Sequence, residues 1–255
     1  MNILAFFAHP DDETMLAGGT LALLANNGAT VHYLCATRGE GGEVGEPPRC
    51  TQEQLGEVRE KELVCAIQSL GGRSLTFLGY VDPRVGPQDA LFAYSDNLTM
   101  LAGQVAASLR QFDAQVVISH GSNGEYGHPA HQLTFQAARL AVESLGGDGP
   151  GFYTTAAIFP DHPRPRLANQ NDPADLILDV SAVLAQKTQA ALCHRTQHAL
   201  FVRRASEEAG RQLSVPEVMM KVESLRRWKA VGRQTGQDEL TTLLSPYLKN
   251  KQSQS

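Results

Sequence analysis

The residues best suited to chemistry lie near the start of the chain, in Ala8-His9-Pro10-Asp11-Asp12-Glu13. One imidazole and three carboxylates follow a short apolar run, residues 3–8, that reads as a buried strand. They precede residues 14–24, which read as a helix. A strand-to-helix turn in an open α/β sheet lies at the crevice where ligands bind. Neutral imidazole and ionised carboxylate are the donors that a divalent cation takes. Backbone N–H groups at the helix start are expected to keep the acidic side chains ionised. A second set, Tyr126-Gly127-His128-Pro129-Ala130-His131, follows another strand-like run, 115–120, and leads into another helix. Either His-Pro motif alone is weak, because H-x-x-H lacks the spacing and the glutamate of H-E-x-x-H. Two of them on equivalent strand ends point to one crevice.

A catalytic metal keeps three protein ligands and one open position. His9 and Asp12, three residues apart in one turn, can face the same cation, and His131 is the best third ligand. His128 then stands beside the metal. Asp11 can take the proton of a water attacking a carbonyl. A protonated His128 can stabilise the oxyanion or protonate a leaving amine, and Tyr126 can add a hydrogen bond to the same oxygen. The other histidines (His32, His120, His162, His194 and His198) are assigned structural roles.

The elements that must hold these residues follow in order. Residues 30–37 read as a second strand, so the chain opens β-α-β and demands a parallel sheet. No G-x-G-x-x-G follows the first strand, which argues against a nicotinamide cofactor. Gly18-Gly19 sits inside the first helix and is expected to allow close packing on the sheet. The glycine-rich loop 38–48 offers Glu40 as a hydrogen-bond acceptor. Residues 51–70 read as a helix on whose surface Arg59 and Glu62 can pair. A third strand, 75–78, exits near Asp82, whose simplest role is to form a turn. A helix over 97–112, capped by Asp96 or Asn97, precedes the strand at 115–120. Strands are expected at 152–159 and 176–180 around a proline-rich connector, 160–173, with a helix over 181–193. Beyond about 199 the chain reads as helical or loopy, with a polar frayed tail over 245–255.

The whole chain sets broad bounds. Its 255 residues are 42% hydrophobic and 19% charged, which suits a soluble protein with one large core. A net charge of −5 does not suggest a nucleic-acid partner. No apolar stretch approaches the roughly 20 residues of a membrane span and no leader is visible, so the cytoplasm is the expected compartment. The four cysteines have no C-x-x-C spacing, and Cys35 and Cys65 are expected to be buried apolar residues.

Ala8-His9-Pro10-Asp11-Asp12-Glu13 resembles the signature of the PIG-L/LmbE-type zinc-dependent N-acetylglucosaminide de-N-acetylases. The resemblance extends through Thr37-Arg38-Gly39-Glu40, Arg59 with Glu62, Phe77-Leu78-Gly79 and Tyr126-Gly127-His128-Pro129 with His131. It continues weakly through Asp179-Val180-Ser181, Lys187 and His194-Arg195-Thr196-Gln197. It implies an α/β, Rossmann-like three-layer sandwich with a mostly parallel sheet, a core over 1–200 and a helical C-terminal extension over 201–255. It also implies zinc, with ferrous iron as the alternative, held by His9, Asp12 and His131. Asp11 matches the general base, His128 the oxyanion-stabilising histidine and Tyr126 a tyrosine beside the carbonyl. Glu40, Arg59 and Asp82 match positions that contact the sugar. The implied substrate is a small N-acetylated aminosugar conjugate, and a homo-oligomer is compatible with the family. Amidases with larger acyl groups, and a sugar- or metal-binding protein without turnover, are the rival readings. One departure stands out: where many members have His-Pro-Asp-His, this chain has Ala130, which bears on how the metal ligands are oriented.

Overall fold

The computed structural model describes residues 1–147, 149–229 and 238–249. The opening β-α-β forms as its apolar periodicity requires: β1 (Asn2–Phe7), α1 (Asp12–Asn26) and β2 (Thr30–Thr37). Then come α2 (Leu55–Ser69), β3 (Ser74–Tyr80), α3 (Leu98–Gln111), β4 (Val116–Ser119), the single turn α4 (Gly124–Gly127) and α5 (Pro129–Ser144). Asn97, not Asp96, caps α3, its side chain accepting from Met100 N–H at 3.0 Å. The rest comprises β5 (Gly151–Thr155), β6 (Ala157–Ile158), β7 (Asn169–Pro173), β8 (Leu176–Asp179), α6 (Leu184–Cys193), α7 (His198–Ala209), β9 (Val222–Lys229) and α8 (Glu239–Leu244).

The main sheet has the order β3-β2-β1-β4-β5-β9-β8. Its first five strands are mutually parallel, while β9 runs antiparallel to both β5 and β8. Helices cover both faces. Alternate residues of β1 divide between two apolar layers: Ile3, Ala5 and Phe7 pack with Leu21, Leu63 and Ile67 of α1 and α2. Leu4 and Phe6 pack with Leu101, Val105, Leu133 and Phe135 of α3 and α5. A strand buried on both sides reads as a continuous apolar run, which is why β1 is legible in the sequence. The chain turns one way from β1 to β2 and the other way to β4. The carboxyl ends of β1 and β4 therefore flank the switch point, where a doubly wound sheet opens a crevice.

Three local expectations change. The stretch after 200 contains α7 and α8 but also β9, which the sequence reading leaves out. Two of its three buried positions are polar: beside Leu225, Glu223 pairs with Lys187 at 2.7 Å, and the Ser224 hydroxyl donates to the Ala157 carbonyl. A strand that buries polar groups has no apolar alternation to announce it. The expected strand at 152–159 is broken at Ala156, whose φ is 52°, so β6 leaves the main sheet to pair with β7. Cys65 is exposed rather than buried and is disulfide-bonded to Cys193, tying α2 to α6, while Cys35 is a buried free thiol. Of the polar tail, residues 245–247 form a 3-10 turn and residues 250–255 lie outside the described residues.

Gly19 does what its place in α1 suggests. A Cβ there would lie 2.5 Å from the Val180 Cβ, so only glycine allows α1 to approach so closely. Gly103 in α3 is also a helix-interior glycine, but it is exposed and has no atom within 4 Å of a built Cβ. The same substitution should therefore have opposite signs. Gly19→Ala is expected to lower the unfolding free energy by about 1–3 kcal/mol through overpacking. Gly103→Ala is expected to raise it by about 0.5–1 kcal/mol. Urea melts of both variants check this, and equal effects would refute the close-packing account of Gly19.

Candidate active site

The two loops at the switch point bring His9, Asp11 and Asp12 from the β1–α1 turn against His120, Glu125, His128 and His131 from the segment after β4. Which imidazole nitrogen is free decides what the cluster can bind. His9 Nε2 lies 3.1 Å from an Asp82 carboxylate oxygen and its Nδ1 lies 3.3 Å from Asp12 Oδ2. His131 Nδ1 lies 2.7 Å from Glu125 Oε2, which leaves His131 Nε2 facing His9 Nδ1 at 3.3 Å and Asp12 Oδ1 at 3.3 Å. His120 Nε2 accepts the Ala8 N–H at 3.1 Å, so its proton resides on Nδ1, 3.0 Å from Glu125 Oε2. His128 Nδ1 accepts the Ala130 N–H at the start of α5 at 3.2 Å, leaving its proton on Nε2.

Among the described residues two triples bring ligand atoms within 4.8 Å of one another: His9, His128 and His131, and Asp12, His120 and His131. Backbone N–H groups occupy one acceptor nitrogen in each of His128 and His120. The donors left facing each other are His9 Nδ1, Asp12 and His131 Nε2. Two imidazoles and a carboxylate fit a divalent transition metal, and their mutual repulsion calls for a positive charge between them. Without a metal, a proton supplies it. Against the downward push of burial, Asp82 and Asp12 lift His9 to about 10. The imidazoles around Asp12 hold its carboxyl well below the carboxylate range despite burial. Burial keeps His131 below its ordinary value, with Asp12 and Glu125 opposing.

Asp11 stands apart. Its backbone is left-handed, with φ 116°, and its side chain caps nothing. Backbone N–H groups of the turn go to its neighbours instead: His9 N–H donates to Asp12 Oδ2 at 2.8 Å and Asp11 N–H to Glu13 Oε2 at 2.9 Å. The expected helix-start stabilisation therefore reaches Asp12 and Glu13 but bypasses Asp11. Burial pushes Asp11 up to about 7, with Arg59 opposing and the charges of Asp12 and Glu13 adding to the rise. Arg59 Nη2 lies 3.3 Å from Asp11, and the guanidinium also donates to the carbonyls of Gly39 and Pro10.

A cavity of about 1000 Å³ opens over these groups, lined by His9, Asp11, Asp12, Arg59, Asp82, Tyr126, His128 and His131. Tyr126 is exposed at its mouth, with its ring edge-on to His128. Glu40 is not in the lining. Its carboxylate accepts from Asp82 N–H at 3.1 Å and from Arg38 at 3.1 Å, joining the loops after β2 and β3. Arg59 and Glu62 do not pair on the helix surface. Both are buried, and Glu62 accepts the N–H and hydroxyl of Thr196. Asp82 is more than a turn former, since it holds His9.

Several site residues escape sequence reasoning. His120 and His194 are structural in a specific sense: His194 Nε2 lies 2.9 Å from Glu13, and His120 shares Glu125 with His131. Glu125 has φ 58° and receives Gly121 N–H and Asn169 Nδ2 on its other oxygen. Its position immediately before the second motif is the only available signal. Asn169 lies in the proline-rich connector and gave none. Ala130 is fully buried in the apolar layer beneath α5, and Glu125 supplies the carboxylate that orients His131.

Residues 4–142 match the family model described as PIG-L, GlcNAc-PI de-N-acetylase. The chain is 33% identical over 235 residues to a 1D-myo-inositol 2-acetamido-2-deoxy-alpha-D-glucopyranoside deacetylase of Mycolicibacterium smegmatis, covering 76% of this chain and 79% of that one. Its fold is similar to that of an N,N'-diacetylchitobiose deacetylase from Pyrococcus horikoshii, with TM-score 0.63, 20% identity and coverage of 89% and 84%. It is similar as well to that of GalB, a 4-carboxy-2-hydroxymuconate hydratase from Pseudomonas putida, with TM-score 0.60, 21% identity and coverage of 92% and 98%.

With Asp82 and Asp12 raising His9 to about 10, a metal bound at its Nδ1 would displace a proton. Titration with zinc at pH 7.5 in buffers of different ionisation enthalpy is expected to show release of about one proton or more per metal. Glu125→Gln, which removes the charged acceptor of His131 Nδ1–H, is expected to weaken the metal about 10–100-fold. Buffer-independent enthalpies, or full affinity in the variant, would contradict this reading of the donor set.

Proposed function

This chain belongs to the PIG-L, GlcNAc-PI de-N-acetylase, family, and on that premise we propose that it hydrolyses the acetamide of an N-acetylglucosamine conjugate to acetate and free amine. The observation that carries the proposal is Asp11: a carboxylate on a left-handed turn beside a three-donor metal set, in the cavity lining and 3.3 Å from the Arg59 guanidinium. A binding protein has no need of it. We assign the metal, zinc or ferrous iron, to His9, Asp12 and His131. When bound, it supplies Lewis acidity, polarising the amide carbonyl and making a nearby water more acidic.

The remaining chemistry falls to side chains. Asp11, ionised, accepts the proton of the water that attacks the carbonyl, and Arg59 holds it in place. His128 is neutral, because burial and its neighbours His131 and His9 push it down to about 3. It therefore donates through Nε2–H to the carbonyl oxygen as negative charge grows there, rather than acting as the protonated acid expected from sequence. The Tyr126 hydroxyl can approach the same oxygen from the cavity mouth. The leaving nitrogen then takes the proton from Asp11, so that one carboxyl group serves as base and then acid. Asp82 is free to meet a sugar hydroxyl with the oxygen that His9 does not use. Of the other residues expected at the sugar, Glu40 stands behind the cavity wall, where it accepts the Asp82 N–H, while Arg59 lines the cavity and also holds Asp11.

Acetate and amine release from methyl N-acetylglucosaminides should require added zinc or anaerobic ferrous iron. Asp11→Asn should lower kcat about 10²–10⁴-fold with the metal still bound. Because the base works ionised, kcat/KM should rise with pH through the Asp11 ionisation. Arg59 lowers that pKa, so Arg59→Met should move the rising limb to higher pH. Undiminished turnover in Asp11→Asn would remove the base from the mechanism.

A further inference from the structure

The outer half of the cavity differs from the metal end. Its walls are the loop after β2, the loop after β3 and the start of α7, which contribute Val44, Val85, Leu91, Phe92 and Leu200. Among the described residues nine large hydrophobic side chains are exposed, and four of them (Val85, Phe92, Tyr126 and Leu200) line this one cavity. Scattered exposed apolar residues need no explanation, but a cluster along a ligand cleft marks a contact surface.

The charges there exclude one kind of ligand. Away from the metal end the charged lining is Glu43, Glu46, Asp89 and Arg84. Glu43 forms a two-pronged pair with Arg203, and Arg84 lies 3.6 Å from Glu53 on the outer surface. The inner Arg59 is committed to Asp11 and to two backbone carbonyls. Among the described residues Arg84 is thus the one cation of the outer lining, solvent-exposed and beside Glu53, against the three carboxylates of Glu43, Glu46 and Asp89.

We infer that the outer cavity is a subsite for an uncharged aglycone with an apolar face, an alkyl or aryl group, contacted by Val85, Leu91, Phe92 and Leu200. This rests on the deacetylase reading, because the acetamide must sit at the metal end for the aglycone to reach these residues. Burying methylene groups against such a wall makes affinity grow with chain length. A phosphate or dicarboxylate in the same place meets Glu46 and Asp89.

The experiment compares methyl, butyl and hexyl N-acetylglucosaminides with N-acetylglucosamine 1-phosphate on the metal-loaded protein. It measures kcat/KM and, by calorimetry, the Kd of each glycoside for the metal-loaded Asp11→Asn variant. The expected result is a rise of tenfold or more in kcat/KM from methyl to hexyl, a matching fall in Kd, and the 1-phosphate below the methyl glycoside. In Phe92→Ser and in Leu200→Ser the hexyl-to-methyl ratio should fall towards one, with Phe92→Leu recovering part of it. Equal turnover of methyl and hexyl glycosides, or preference for the 1-phosphate, overturns the subsite and leaves the deacetylase reading standing. Absence of turnover with a Kd that still falls with chain length removes the deacetylase reading and keeps the subsite.

Discussion

The placement of single protons on imidazole rings governs this site. Four histidines crowd this site, three of them against Asp12, yet backbone amides and carboxylates divide the four into two kinds. His120 and His128 each give a lone pair to a backbone N–H, from Ala8 and from Ala130. His9 and His131 each turn a nitrogen to a carboxylate, Asp82 and Glu125, and keep the other for the cluster. The partner of the ring, not its proximity to the cluster, determines its role. Glu125 is the most heavily engaged of these partners. One oxygen receives two ring nitrogens and the other receives Gly121 N–H and Asn169 Nδ2. Its left-handed backbone is held because Asn169 Oδ1 also accepts the Glu125 N–H. A connector far along the sequence thereby sets the tautomer of His131.

Much of this was legible from sequence, and the limit has a physical form. Apolar period and length revealed β1, α1, β2, α2 and α5, because the buried faces of those elements are mostly apolar. The two His-Pro turns were legible because a sheet with this connectivity brings the ends of β1 and β4 together. What escaped were interactions in which a buried polar group meets a partner distant in sequence. Glu223 with Lys187 hides β9, Asn169 supports Glu125, and Glu62 reaches Thr196 rather than Arg59. A carboxylate on a helix surface and one buried against a distant backbone N–H look the same in a one-dimensional pattern. What Ala130 means for the ligands was hidden for the same reason. The carboxylate expected at its position has a counterpart five residues earlier, at Glu125.

The likeness to both a deacetylase and a hydratase shows how little the fold alone decides. The doubly wound sheet supplies a crevice and fixes which loops line it. Whether that crevice hydrolyses an amide depends on a carboxylate that stays out of the metal set while standing next to it. Two consecutive aspartates are a poor means to that end in most backbones, since adjacent side chains share an environment.

Here one left-handed residue separates them. At Asp11 the φ of 116° costs on the order of 1–3 kcal/mol for a residue with a Cβ. It also sends the carboxyl groups to different surroundings. Asp12 accepts a backbone N–H, faces three imidazoles and is held well below the usual carboxylate range. Asp11 receives no backbone N–H, lies beside a single guanidinium and is lifted to about 7. Environments that push neighbouring titratable groups apart are what divide ligand from base. On the proposed reading of Asp11 as the base, the strain is part of the chemistry: relaxing the turn would return its carboxyl to the helix N-terminus, where it would be better stabilised and a weaker base.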